Sequence, residues 1–486
     1  MNIHILHGDV FLLDVRTRLP FKYGIATMTR APHAFVRARL EVDGKPASGV
    51  AADHLPPKWF TKDPARPIED EIEEMLRVIT HALGLAAGLR APSPFDAWCQ
   101  LNDAQAGWGR RARLPPLLTQ FGTSLVERAL IEAVCRAAGQ PFARVLWTNQ
   151  LGIRLGEIHP ALAGLAPADL LPRSPRTQVL ARHTVGLADP LLDADVAPAE
   201  RLDDGLPQAL AACIQTYGLR HFKIKLSGAA EADAERLRRL AEVIEAYAPA
   251  DYAFSLDGNE QFRTLADFRA FWDSLGRRAE LRRFLSHLLF VEQPLHRDVA
   301  LQEGAVGGMA DWPDRPPLII DESDGEIGSL PQALRLGYAG TSHKNCKGVF
   351  KGALNACLLA QRRREQPARR VILSGEDLAT IGPVALLQDL TVCAALGITS
   401  VERNGHHYFA GLSMFPEEVQ RQVLKAHGDL YRASRAGWPT LAIQEGSLST
   451  QSLQAAPFGV GFPLRVEQFT SLGAWRQPRE KRGESP

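Results

Sequence analysis

Short apolar segments alternate with amphipathic ones through much of this chain. Apolar runs of strand length, such as 177 to 186 and 370 to 377, are separated by stretches in which apolar residues recur every three or four positions, as in AERLRRLAEVIEAY. Eight strand-like runs occur between residues 177 and 405. Strands that alternate with helices over this length predict a parallel α/β barrel rather than an open sheet.

The first 150 residues have a different pattern. Residues 3–15 and 33–43 predict the strands of a hairpin-like sheet. Residues 68–87 and 122–139 have helical periodicity, and Gly139 supplies a C-terminal stop for the second helix. An α+β unit is therefore expected before the barrel.

Three of the predicted barrel strands end in acids. SLDGN contains Asp257 and Asn259, FVEQP is centred on Glu292, and LIIDES ends in Asp321 and Glu322. Their spacing matches one strand, one helix and two loops, so successive parallel strands would bring the acids to one rim. Converging carboxylates repel one another unless a hard cation lies among them, and Mg²⁺ takes oxygen ligands while keeping positions for water or substrate. We therefore predict a magnesium site.

Two pairs of lysines bracket these acids. Lys223 and Lys225 lie two residues apart on one predicted strand and alternate with apolar residues, so both would point into the barrel. Lys344 and Lys347 follow another predicted strand downstream. A cation and a neighbouring lysine both disfavour charge on a buried ammonium. Lowered lysine pKa values, and hence usable bases, are expected.

The ordered motifs KxK, DxN, EQP, DES and KxxKG resemble those of the enolase superfamily, most closely its muconate-lactonizing and mandelate-racemase branch, over about residues 10 to 425. The resemblance implies a (β/α)7β-type TIM-like barrel with an α+β capping domain. It implies residues 1–150 as the N-terminal part of the cap, 151–425 as the barrel and 426–486 as the segment that completes the cap. The charged tail PREKRGESP is expected to be disordered.

The same resemblance implies an isomerase or lyase that abstracts the proton α to a carboxylate through an enediolate intermediate. Lys225 would be the base on one face of the substrate, Lys344 would be acid or base on the other, and Lys223 would stabilise developing charge. Cycloisomerase, epimerase or racemase, and acid-sugar dehydratase remain open. The ligands of one Mg²⁺ per subunit would be Asp257, Glu292 and Asp321.

Further residues are expected near the metal or substrate. The sequence RLPFKYG resembles the family's first capping loop, and a second lid is expected between residues 53 and 64. The seventh predicted barrel strand, 370–377, ends in Glu376 and Asp377, and the choice between these two acids is open. His406 and His407 follow the eighth predicted strand, near 397–405, where substrate specificity is often decided. These residues are Tyr23, Asn259, Glu322, Glu376, Asp377, His406 and His407.

The sequence departs from two subgroups of the family. It has no Asp on strand six paired with a His on strand seven, which argues against a mandelate-racemase-type dyad, and strand eight lacks the paired aspartates of dipeptide epimerases. Two other hypotheses stay open: a Schiff-base barrel enzyme using Lys225 or Lys344, and a non-catalytic enolase-like protein that binds a metal and a ligand.

The composition of the chain limits the kinds of partner that are expected. The 486 residues carry a net charge of +1, which gives no reason to expect a nucleic-acid or membrane partner. The family resemblance implies a small carboxylate as the ligand. The six cysteines show no CxxC spacing and fit a reduced, cytoplasmic protein. The family resemblance also implies a homo-oligomer.

Overall fold

The computed structural model describes residues 1–309 and 311–477, so the predicted disordered tail, 478–486, lies outside the described residues. The described strands fall into an antiparallel sheet, a parallel barrel and a small two-stranded ribbon. The strands are β1 (Ile3–Tyr23), β2 (Ala26–Val42), β3 (Lys45–His54), β4 (Arg90–Ala91), β5 (Gln178–Val185), β6 (His221–Lys225), β7 (Ala253–Asp257), β8 (Leu288–Glu292), β9 (Leu318–Ile320), β10 (Gly340–His343), β11 (Ile372–Gly375), β12 (Ser400–Arg403), β13 (Tyr431–Ala433), β14 (Pro439–Leu441), β15 (Ser447–Ser449) and β16 (Thr470–Ser471).

Helices connect successive barrel strands and cover one face of the antiparallel sheet. The helices are α1 (Ile68–Ala86), α2 (Pro94–Arg111), α3 (Pro116–Ala138), α4 (Phe142–Trp147), α5 (Leu155–Ile158), α6 (Pro167–Leu170), α7 (Leu210–Tyr217), α8 (Ala230–Tyr247), α9 (Leu265–Gly276), α10 (Arg282–Leu285), α11 (Glu303–Val306), α12 (Ser329–Leu336), α13 (Val349–Glu365), α14 (Ala385–Ala395), α15 (Gly405–Tyr408), α16 (Glu417–Ala426), α17 (Gln451–Ala455) and α18 (Leu472–Trp475).

The N-terminal sheet is built around the β1–β2 hairpin. Both strands are longer than the sequence pattern predicted, because their antiparallel pairing continues past a register shift to Tyr23 opposite Ala26. The stretch RLPFKYG is therefore the tip of a hairpin and not a free loop. Helix α3 packs on β3, where a side chain at Gly49 would collide with the backbone of Ala129.

Eight parallel strands, β5 to β12, form the barrel within the described part of the chain, and it closes where β12 pairs with β5. The predicted first strand, 177–186, is observed as β5, and the predicted fold class is confirmed. The segment after 425 contributes β15, which pairs with β5, and β16, which pairs with β1. The chain end thus contacts both barrel and N-terminal sheet; the exact domain boundaries stay a prediction.

Two further sequence-based expectations can be compared with the structure. Across the described residues, none of the helices combines the length and apolarity needed to cross a bilayer. All six cysteines are free thiols.

Buried histidine makes the stability of this fold depend on pH. His54, fully buried at the end of β3, donates from Nδ1 to the carbonyl oxygen of Ala379, and burial lowers its pKa to about 4. An unfolded histidine has a pKa of about 6.5, so between these values the unfolded chain binds a proton that the folded protein does not. Stability should therefore fall as pH drops from 6.5 to 4.

We expect His54→Gln to reduce the pH slope of the unfolding free energy in this window by up to ~1.4 kcal/mol per pH unit. Denaturant unfolding at several pH values measures it, with the exposed His7→Gln as control. Identical slopes in wild type and His54→Gln would contradict the prediction.

Candidate active site

Ionisable side chains lie at the carboxyl ends of the barrel strands, as the sequence predicted. Lys225, Asp257 and Glu292 are the last residues of β6, β7 and β8. They are directly opposite one another in the parallel register, so the three side chains form one row across neighbouring strands. Asp321 and Lys344 directly follow β9 and β10 and extend the row around the rim.

The ammonium group of Lys223 lies among four carboxylates. Its Nζ is 3.1 Å from Asp257 Oδ2, 2.7 Å from Glu292 Oε2, 2.8 Å from Glu376 Oε2 and 3.0 Å from Glu402 Oε2. The side chain is almost completely buried. Lys223 therefore holds together acids from four different strands or strand ends.

The other rim acids are paired with lysines as well. Lys225 Nζ donates to Asp257 Oδ2 at 2.6 Å. Asp321 lies between two ammonium groups, Lys344 at 2.7 Å from Oδ2 and Lys347 at 2.6 Å from Oδ1. Asp257 and Asp321 thus each have a partner of opposite sign, as burial of a charge requires.

These charges shift the pKa values of the rim strongly. Burial and the neighbouring Glu376 raise the pKa of Glu292 well above its usual range. Burial also acts to raise the pKa of Asp321, but Lys344 and Lys347 outweigh it and hold that pKa well below the usual range.

Two of the lysines at the rim have shifted pKa values. Burial acts to lower the pKa values of Lys223 and Lys344, but the surrounding carboxylates outweigh it and raise both. The expectation of lowered lysine pKa values rested on a bound cation and stays a prediction, since the carboxylates around each ammonium act in the opposite direction.

The three predicted metal ligands offer only carboxylate oxygens, the donors that Mg²⁺ prefers. Both oxygens of the fully buried Glu292 accept no hydrogen bond, although Oε2 lies close to Lys223. A buried carboxylate without hydrogen bonds is costly, and a cation ligand would relieve that cost. The residues present therefore fit a magnesium ion.

A small cavity of about 40 Å³ lies over this rim. It has room for a few water molecules at most. Both predicted lids contribute to its roof: Phe21 and Tyr23 come from the β1–β2 hairpin, and Pro56 and Trp59 come from the segment after β3. The other lining residues are Met28, Lys223, Lys225, Asp257, Asn259, Asp321, Glu322, Lys344, Asp377, Leu378, Ala379, Glu402 and Asn404.

Four predicted substrate or metal neighbours line this cavity: Tyr23, Asn259, Glu322 and Asp377. Tyr23 donates its hydroxyl to the carbonyl of Pro57 at 2.7 Å, which ties the two lids together. Asn259 donates its backbone N–H to Asp257 Oδ1 at 2.9 Å, and its side-chain Oδ1 is buried without a partner. Burial and the adjacent Asp321 raise the pKa of Glu322 to about 7.

The two strand-seven acids have different surroundings. Glu376 lies beneath the cavity, bonded to Arg182 and Lys223, whereas Asp377 lines the cavity and accepts the backbone N–H of Asn404 at 3.1 Å. Sequence analysis missed Glu402, which lines the cavity from β12 and accepts a hydrogen bond from Thr184. Its position near the end of a strand, like that of the other rim acids, was the available signal.

His406 and His407 are not among the residues that line the cavity. Both are buried in α15, and His406 Nε2 lies 3.0 Å from Nδ1 of His183 on β5. A direct substrate contact for either histidine stays a prediction without support from this geometry.

The second lid is held by one partly buried arginine. Arg297 donates to the carbonyl oxygens of Trp59 at 2.9 Å and Phe60 at 2.8 Å, and it pairs with Glu260 at 2.8 Å. The ring of Trp59 in turn lies 4.6 Å from the ammonium of Lys344. Arg297 thereby positions a residue that contacts a candidate catalytic lysine.

We expect Arg297→Ala to loosen this lid, because two carbonyls and a carboxylate lose their donor. Amide hydrogen exchange in residues 55–62 should rise roughly tenfold or more, as the loss of charged hydrogen bonds implies. Mass spectrometry of exchanged peptides measures this rise. The exposed Arg263, paired at 3.6 Å with Asp298, provides the control variant Arg263→Ala. Unchanged exchange in Arg297→Ala would show that the lid is held by other contacts.

The fold and the rim together define a class of protein: a capped parallel barrel with acids and lysines around a small cavity. Neither a protein-family model nor a curated protein matches the sequence.

Solved structures match almost the whole chain. Muconate lactonizing enzyme from Pseudomonas fluorescens, solved with muconolactone, is 16% identical with a TM-score of 0.60, covering 96% of this chain and 97% of its own. An enolase from Bradyrhizobium, solved with magnesium and mandelic acid, is 14% identical with a TM-score of 0.58, covering 97% and 99%. Dipeptide epimerase from Enterococcus faecalis V583, solved with Mg and L-Leu-L-Tyr, is 16% identical with a TM-score of 0.55, covering 92% and 99%.

At these identities the likeness concerns the fold. This chain has the fold of muconate lactonizing enzyme and of these enolase-superfamily structures, and the resemblance inferred from the motifs is confirmed at that level.

Proposed function

We propose that this protein is a Mg²⁺-dependent enzyme of the enolase superfamily that abstracts the proton α to the carboxylate of a small molecule. The observation that carries the proposal is the placement of two lysines around one cavity. Lys225 ends β6 and Lys344 follows β10, and both line the cavity. Because β6 and β10 are four strands apart in a closed barrel of eight, these lysines come from opposite sides of the rim.

A Mg²⁺ ion held by Asp257, Glu292 and Asp321 would bind the substrate carboxylate, stabilise the charge that develops on it, and offset part of the negative field around the lysines. Two of the similar structures were solved with magnesium, which supports this choice of ion.

Residues of the chain would carry out proton transfer, charge stabilisation and the exclusion of water. Lys225 takes the α-proton from one face, and Lys344 returns a proton to the other face or receives one there. Lys223, fixed among its four carboxylates, contributes a positive charge beside the developing anion. Trp59 and Phe21 close the roof and exclude water from the reacting centre.

The overall reaction follows one of three courses: racemisation or epimerisation, cycloisomerisation, or elimination of water from an acid sugar. All three begin with removal of the α-proton. The cavity of about 40 Å³ is too small for any of these substrates, so the hairpin tip or the Trp59 lid opens to admit them.

Deuterium uptake tests the proposal. Pools of carboxylic acids, including sugar acids, amino-acid derivatives and lactones, are incubated with protein and Mg²⁺ in D₂O and scored by mass spectrometry. Mg²⁺-dependent gain of deuterium or loss of water in one class of acid is the expected result. Trapping of a covalent amine adduct by borohydride, without need for metal, would instead favour the Schiff-base alternative. Mg²⁺ binding with no exchange in any pool would favour the non-catalytic one.

A further inference from the structure

A second group of metal-ligating side chains lies away from the candidate active site. His183 on β5, Cys213 on α7 and His407 on α15 each place one ligand atom within 4.8 Å of the other two. Their side chains are buried, with 2%, 0% and 3% of the residue surface exposed. None of the three lines the cavity over the barrel rim.

The wall of the barrel separates this group from the cavity over the rim. On β5, the side chains of Arg182 and Thr184 point inward, since they bond to Glu376 and Glu402. Successive side chains of a strand alternate between faces, so His183 points outward, toward α7. The group is therefore enclosed between the outer face of β5, α7 and α15.

The distances suit a tetrahedral ion. Cys213 Sγ lies 3.6 Å from His407 Nδ1. Two ligands at about 2.3 Å (sulfur) and 2.0–2.1 Å (nitrogen) from a tetrahedral zinc ion are about 3.5 Å apart. Cys213 Sγ and His407 Nδ1 therefore already have the separation expected of two ligands of one zinc ion.

The second nitrogen of each imidazole faces a group that would orient it. His183 Nδ1 lies 3.0 Å from His406 Nε2, which leaves Nε2 of His183 for a metal. His407 Nε2 lies 4.0 Å from Asp189 Oδ2, and that carboxylate is itself held by the backbone N–H of Gly186 at 2.7 Å. Histidine ligands of metals commonly have such partners, which fix the ring and its tautomer.

The protonation states of the two imidazoles agree with this geometry. Burial lowers the pKa values of His183 and His407 to about 3, so both rings are neutral, the form that binds metals. Burial raises the pKa of the Cys213 thiol, so Cys213 would bind as thiolate only by releasing its proton as the ion enters.

We propose that His183, Cys213 and His407 bind a zinc ion, a site separate from the magnesium centre. Two imidazoles and one thiolate select zinc over magnesium, which prefers oxygen. A water completes the tetrahedron. A second group, His343, Asp389 and Cys393, also has close ligand atoms, but Asp389 is already ion-paired with Arg403. It serves as an internal comparison.

The site would stabilise the roof of the active site. The carbonyl of His407 accepts a hydrogen bond from Arg18 at 3.0 Å, and the next residue, Tyr408, stacks on Phe21 at 4.0 Å between ring centroids. Phe21 lines the cavity. Fixing α15 by a metal therefore fixes the hairpin tip that covers the rim.

Metal content and cobalt spectra of the full chain test the proposal. Protein produced with zinc and dialysed against Mg²⁺ buffer is analysed by mass spectrometry for ~1 zinc per chain. Cobalt replacement should give a thiolate-to-cobalt band in the near ultraviolet. We expect Cys213→Ala to lose this band and the zinc, and Cys393→Ala, a matched buried cysteine of the comparison group, to keep both.

A wild-type protein that retains no zinc and shows no thiolate band would overturn the proposal, as would a band that persists in Cys213→Ala or disappears in Cys393→Ala. If Cys213→Ala does not fold, His407→Gln replaces it: loss of zinc with the fold kept, seen by circular dichroism, supports the site, and retention of zinc refutes it. Mg²⁺-dependent deuterium exchange is measured separately, so failure of the zinc site does not bear on the proposed reaction.

Discussion

Replacing Lys225 or Lys344 with alanine is expected to lower α-proton exchange by roughly 10²- to 10⁴-fold, the usual contribution of a general acid or base. Both ammonium groups lie at the cavity, on opposite sides of the rim, so a substrate bound between them exposes one face to each. Loss of one lysine removes the proton carrier for one face. Exchange with each stereoisomer of the substrate therefore assigns a face to each lysine.

The affinity of these two lysine variants for Mg²⁺ should not fall with their activity. Lys225 pairs with Asp257 at 2.6 Å and Lys344 with Asp321 at 2.7 Å, so each lysine competes with the ion for a ligand carboxylate. Isothermal titration should show Mg²⁺ bound as tightly as in wild type, or more tightly. Lys347→Met is the matched control: it removes an equally close ammonium from Asp321 but does not touch the cavity. A loss of exchange in Lys347→Met as large as in Lys344→Ala would mean that the ion pair, and not proton transfer, matters.

The positions of the rim acids could be predicted because each depends on local sequence. An acid that ends an apolar run of strand length lies at the carboxyl edge of a parallel sheet, whatever its neighbours are. Asp257 and Glu292 occupy that position in β7 and β8, and Asp321 follows β9 by one residue. Alternation along β6 likewise placed Lys223 and Lys225 on the inner face.

The charge balance of the rim could not be predicted in the same way. Lys223 meets Glu376 and Glu402, which follow it by more than a hundred residues and lie on the far strands of the closing barrel. Glu402 lies near the end of β12, which marks it as a rim acid, but nothing local indicates that it meets Lys223. The direction of the lysine pKa shifts depends on these distant acids.

Long-range packing also decided the lids. The hairpin tip was predicted as a cover from the family resemblance and the Trp59 segment from its composition, but the contacts that hold them come from elsewhere in the chain. Arg297 fastens Trp59 by its backbone, and Tyr408 stacks on Phe21. The stacking residue belongs to α15, whose histidines seemed from the sequence to be substrate contacts and instead lie outside the cavity.

Glu292→Gln is expected to abolish the magnesium site while stabilising the metal-free protein. Glu292 is fully buried, neither oxygen accepts a hydrogen bond, and the nearby Glu376 repels it. A neutral amide of nearly the same shape relieves that repulsion, and Lys223 keeps three other carboxylates. The metal-free melting temperature should therefore rise.

Magnesium affinity should fall roughly 100-fold or more, since even changes behind the ligands of a metal cost 10- to 100-fold. Deuterium exchange should be lost with it. Isothermal titration and thermal unfolding, each with and without Mg²⁺, measure both effects. Glu132→Gln provides the control, because Glu132 is equally buried but pairs with Arg136 in α3. A higher metal-free melting temperature together with a lower Mg²⁺ affinity, seen in Glu292→Gln but not in Glu132→Gln, would identify a carboxylate held in place for a cation. If Glu292→Gln bound Mg²⁺ like wild type, Asp257, Glu292 and Asp321 would not be the ligand set.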